Sequence, residues 1–69
     1  MDPVDYRAAI RRLFTVAGTR LETAAQSAGS GQAADLTPEQ AIHFGNDLVI
    51  AGQEMTALGE AIALLAAGL

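Results

Sequence analysis

The stretch Leu36–Leu69, "LTPEQAIHFGNDLVIAGQEMTALGEAIALLAAGL", decides the fold. Thr37 is a good helix N-cap, Pro38 suits the first helical position, and Gln40 at the third completes a capping box; Leu36 is placed to staple against Ala41. Apolar residues then recur at Ala41, Phe44, Leu48, Ala51, Met55, Leu58, Ile62, Leu65 and Leu69, in alternating steps of three and four. That spacing is a heptad seam held over four repeats, and it predicts a helix over about 38–67. Within it stand three glycines seven residues apart, Gly45, Gly52 and Gly59. Each costs a helix interior roughly 0.5–1 kcal/mol relative to alanine.

With Ala41 at position a and Phe44 at d, all three glycines fall at e, beside the seam, and Ala66 continues the row. A side chain at e props neighbouring helices apart, and its absence lets backbones approach more closely than the usual ~8–10 Å. Cα–H···O contacts then come within reach. The row therefore reads as a close-packing groove, with Gly18 and Ala25, also seven apart, as small residues that a facing helix can offer. Ile42, Val49, Ile50 and Leu64 lie off the seam, so the apolar arc is wider than one neighbouring helix covers.

Upstream, Asp2 suits an N-cap, Pro3 the first helical position, and Asp5 the first turn, where its charge favours the helix dipole. Apolar residues follow at Tyr6, Ile10, Leu13, Ala17, Leu21, Ala24 and Ala28, with Phe14 and Val16 widening the stripe. This predicts a first helix over about 3–28, ended by Gly29 in a left-handed conformation, and a loop over 29–36. Tyr6 is assigned to the edge of the core. The expected fold is all-α: an antiparallel two-helix hairpin in one domain, 1–69, self-associating into a four-helix bundle.

Composition points the same way. A 69-residue chain buries only about 60% of its extended surface, and this one contains no cysteine for disulfides or thiolate metal sites. Yet 51% of its residues are hydrophobic, which favours association with another chain. The net charge is −4, with all four basic residues (Arg7, Arg11, Arg12, Arg20) in the first third and none after Asp35. Such a balance disfavours a nucleic-acid binder. Pairing of the basic helix with the acidic one is the expected use of these charges. The amino-terminal stretch lacks the apolar centre of a signal peptide, and the uncharged apolar run Ala61–Leu69 is short for a membrane span, so a soluble, cytoplasmic protein is expected.

No catalytic set stands out. Glu39, His43 and Asp47 share one helical face, but the spacing is not that of the Glu-x-x-His pairs of di-iron bundles, and a solvated strip is expected rather than a metal site. Ser27 and Ser30 have no histidine near in sequence, and "GSGQ" lacks the lysine and preceding strand of a phosphate loop. No cofactor is called for. The expectation is a non-catalytic interaction or assembly module, a small cytoplasmic bacterial-type adaptor, homodimeric and presenting a surface to another protein. The alternatives are a dimeric regulator contacting nucleic acid through the helix 1 arginines and a subunit of a larger helical or ring assembly. The interface is expected at Phe44, Gly45, Leu48, Val49, Gly52, Met55, Leu58, Gly59, Ile62 and Leu65. Gly52→Leu should disrupt helix pairing or assembly, read as a changed oligomeric state or melting temperature, while Gly52→Ala should be mild.

Overall fold

The structure, a computed structural model, describes residues 3–68. Helix α1 runs Pro3–Ser30 and helix α2 runs Pro38–Ala67, packed against each other with no strand among the described residues. Asp2 and Leu69, assigned above to an N-cap and to the end of the seam, lie outside the described residues.

The start of α2 is built as its sequence predicts. The Thr37 hydroxyl accepts from the Gln40 amide at 3.1 Å, and the Gln40 side-chain oxygen accepts from the Thr37 amide at 3.0 Å. Two amides that the helix leaves without a partner are thereby satisfied reciprocally.

The end of α1 differs from expectation. The helix continues through Gly29 to Ser30, and no described residue has a positive φ. Gly31 N–H still reaches the Ser27 carbonyl at 3.0 Å, and the chain then tightens. Gln32 N–H bonds Gly29 O at 3.1 Å, and Ala33 N–H bonds Ser30 O at 3.4 Å. These shorter-range bonds occupy the last carbonyls without a left-handed residue. The connection between Ser30 and Pro38 therefore begins two residues later than the glycine suggests.

Three cross-helix contacts fix the register. The Tyr6 ring lies against the end of α2, where a Cβ added to Gly68 would stand 3.3 Å from it. Arg20 pairs with Glu54 and Ser27 with Asp47. Moving seven residues forward on α1, from Arg20 to Ser27, moves seven back on α2; the fourteen back to Tyr6 match the fourteen on to Gly68. The helices thus run antiparallel in step over four turns or more, and Tyr6 closes the open end.

The contact line is thin. On α1 it comprises Tyr6, Ile10, Leu13, Ala17, Ala24 and Ser27; on α2, Phe44, Asp47, Ala51, Glu54, Met55, Leu58, Ile62 and Leu65. All are only half-buried, and none of the described residues is fully buried. Two seam assignments on each helix fall outside this line: Leu21 and Ala28 on α1, and Ala41 and Leu48 on α2, are exposed. The molecule is a rod of 53 × 15 × 10 Å. Its radius of gyration is 15.9 Å, against about 11 Å for a compact chain of this length.

Because the Thr37 side chain caps α2 and closes its capping box, Thr37→Ala should lower stability by about 1 kcal/mol, while Thr37→Ser should recover most of it. Thermal unfolding followed by circular dichroism measures both.

Candidate interaction surface

The two flanks of the helix pair differ, and simple helical geometry separates them. Successive residues turn by about 100°, so residues three before and three after a seam position fall about 60° to opposite sides of it. On α1, Phe14 and Arg20 flank Ala17 in this way; on α2, Leu48 and Glu54 flank Ala51. Arg20 touches Glu54, with Nε to Oε2 at 3.0 Å, so those flanks lie together. Phe14 and Leu48 must then share the other side of the hairpin.

The first side carries the polar contacts between the helices, with Val16, Ile50 and Leu64 exposed towards its outer edges. Besides the Arg20–Glu54 pair, the Ser27 hydroxyl donates to Asp47 Oδ2 at 2.9 Å, and His43 Nε2 lies 3.8 Å from the same oxygen. The His43 ring also stands edge-on to Phe44, with centroids 5.5 Å apart. A shallow groove runs between these groups, with Thr23 and Ile50 at its margins. The serine–aspartate contact was not legible in the sequence, because only the register brings residue 27 to residue 47. It also explains why Ser27, and not Ala28, faces α2. Serine, aspartate and histidine meet here in an order that does not activate a nucleophile. The carboxylate stands between the other two, whereas general-base activation needs the imidazole next to the hydroxyl. Among the described residues no three His, Asp or Glu side chains converge as a metal site would require.

The second side is apolar. Phe14 is 60% exposed, Leu21 54% and Leu48 44%. Gly52 and Gly45, four after and three before Leu48, turn towards the same side, as does Gly59 one heptad beyond Gly52. On α1, Gly18 and Ala25 follow Phe14 and Leu21 by four. A Cβ built on Gly18, Gly45, Gly52 or Gly59 meets no atom within 4 Å. The glycine row therefore does not receive α1: the space beside it is open. Ala63 and Ala66 extend this side, and no charged residue of α2 falls between Leu48 and the back of the helix, where Val49 and Ile42 are exposed. Arg7 shares the heptad position of Phe14 and Leu21 near the open end of this side, and Arg11 and Glu22 lie on its rim.

The ten residues assigned to an interface thus divide. Phe44, Met55, Leu58, Ile62 and Leu65 are occupied in the pairing of α2 with α1. Gly45, Leu48, Val49, Gly52 and Gly59 remain exposed on one continuous surface. Phe14 and Leu21, read from the sequence as part of the stripe of α1, complete that surface from the other helix. The outward side of α1 is closed on itself: Thr15, Thr19 and Thr23 hydroxyls each donate to the carbonyl four residues back, at 3.1–3.2 Å.

No protein family, curated protein or solved structure matches this chain.

Open space at Gly52 predicts that Gly52→Ala stabilises the isolated hairpin by about 0.5–1 kcal/mol, since it removes only the glycine penalty. Gly52→Leu should likewise leave the isolated hairpin folded. Unfolding measured in the most dilute samples tests this; a lower melting temperature for either variant there would contradict the open geometry.

Proposed function

We propose that this chain is a non-catalytic protein–protein interaction or assembly module that works as a homo-oligomer, two hairpins forming a four-helix bundle in the cytoplasm. The observation that carries the reading is the exposed, charge-poor side bearing Phe14, Leu21, Leu48 and the glycine row. The hairpin exposes 5111 Å², while a compact protein of 7.1 kDa exposes about 4,100 Å². The excess of about 1,000 Å² is close to the ~800 Å² that each partner contributes to a stable interface. A bundle of two hairpins supports the missing core with the residues already present, and its outer surface remains available to another protein.

A membrane reading has one specific observation in its favour. Helix α2, at 30 residues, is long and apolar enough to cross a membrane by length and composition, once Glu54 and Glu60 are tolerated within it. Counting only uncharged runs overlooks this. The hairpin nevertheless weighs against it. Arg7, Arg11, Arg12, Arg20 and Glu22 are spread along α1, which lies packed beside α2, and a charge near the bilayer centre costs ~2.5–3.5 kcal/mol on the most lenient scale. Spanning would require the hairpin to come apart. A nucleic-acid regulator fits less well, because Arg20 is paired with Glu54 and the chain carries −4 overall.

The folding of an obligate oligomer depends on concentration. The melting temperature should therefore rise by about 4 °C for each ten-fold increase in protein concentration. A melting temperature independent of concentration from the low micromolar range upward would overturn the proposal. Flotation with neutral or anionic vesicles should leave the protein in the soluble fraction; co-flotation would favour the membrane reading. Growth beyond a dimer would favour the larger-assembly alternative.

A further inference from the structure

Resting on that reading, we infer that the occupant of the Phe14–Leu21–Leu48 side is a second copy of this chain, set by a two-fold axis running along the helices. In that arrangement both loops lie at one end, and α1 of each hairpin packs on α2 of the other.

Two face-to-face arrangements obey two-fold symmetry. With the axis across the helices, α1 lies on α1, α2 lies on α2, and the loops point to opposite ends. With the axis along the helices, α1 lies on α2 of the partner. Charge distinguishes them. Arg7 and Arg11 follow the Phe14 flank, being seven and three residues before it, and α1 carries all four arginines. An α1-on-α1 pairing lays the two arginine-bearing helices on each other, antiparallel, and leaves two acidic α2 helices together. The α1-on-α2 pairing sets the basic helix on the acidic one. It also places Glu60 of the partner subunit on the rim near Arg11. By the register described above, these positions differ by three residues along the axis, about 5 Å, well within the reach of an arginine.

Shape gives a second, independent reason. Rotation about an axis parallel to the helices leaves heights unchanged, so residues level with each other within one hairpin are level between hairpins. Arg20 is level with Glu54, which puts Leu21 beside Gln53 and Gly52, and Phe14 one heptad away beside Glu60 and Gly59. Across the interface, Leu21 therefore stands over Gly52 of the partner subunit and Phe14 over Gly59 of the partner subunit. The two most exposed large apolar side chains of α1 meet the positions where α2 has open space. Both contacts occur twice. Glu22, also on the rim of α1, faces the uncharged glycine row and meets no like charge there.

A single label in the loop reads the arrangement without touching the interface. Ala34 is exposed and the chain has no cysteine, so Ala34→Cys carries one nitroxide per chain. Dipolar spectroscopy should give an inter-label distance of roughly 20–30 Å, the width of a bundle with ~10 Å between axes. A distance near the 53 Å length of the hairpin would place the loops at opposite ends and overturn the inference while the dimer stands. No intermolecular distance at any concentration would overturn the self-association on which it rests. The face itself is tested by a pair of variants at exposed positions. Leu21→Glu should weaken the dimer by at least about ten-fold, while Ile50→Glu, on the polar flank, should leave it unchanged. The reverse result would assign the interface to the wrong side.

Discussion

Two helices touch along one line, and a contiguous apolar side away from that line stays in water unless another surface covers it. This constraint governs the molecule. The line between α1 and α2 is occupied largely by alanines and half-buried Leu, Ile, Met and Phe, and it leaves no described side chain fully buried. Helices of 28 and 30 residues draw most of their stability from packing, not from propensity. Five of the seven glycines lie within these helices and lower that propensity further. A hairpin so lightly packed gains from anything that covers Phe14, Leu21 and Leu48, and this is the physical basis for treating it as half of a structure.

The polar flank has the opposite role. Arg20, Glu54, Ser27 and Asp47 form two cross-helix contacts spaced one heptad apart, and Tyr6 adds a third at the open end. Exposed ion pairs contribute little to stability, ~0–1 kcal/mol each. They instead specify register, because a slip by one turn would part both polar pairs together. Holding that register matters on the other flank, where it decides which large residue of α1 stands level with which glycine of α2. The side that is filled with polar contacts thereby sets the geometry of the side that is open.

Much of this was legible in the sequence, for identifiable reasons. The Thr37–Gln40 capping box and the three-four spacing from Phe44 to Leu65 are local signals, and both are realised in α2 except at Leu48, which is exposed. Gly29 predicts a left-handed stop two residues before the observed end of α1, whereas the chain closes α1 with short-range turns that need no such residue. Ser27 and Asp47 found each other through register, which no local pattern encodes. For the glycines, the heptad identified the flank but not what lies beyond it. A position beside a seam can turn towards a neighbouring helix or away from it, depending on how the helices are set against each other. The structure turns the row outward, away from α1.

A second copy covering the apolar side in solution doubles the mass of the particle. Small-angle X-ray scattering on an absolute scale, at tens of micromolar, tests it most directly, since forward scattering gives mass and the curve gives shape. Twice the 7.1 kDa chain mass is expected, in a particle about as long as one hairpin but thicker. A mass of one chain, with a radius of gyration near the 15.9 Å of the single hairpin, would contradict it.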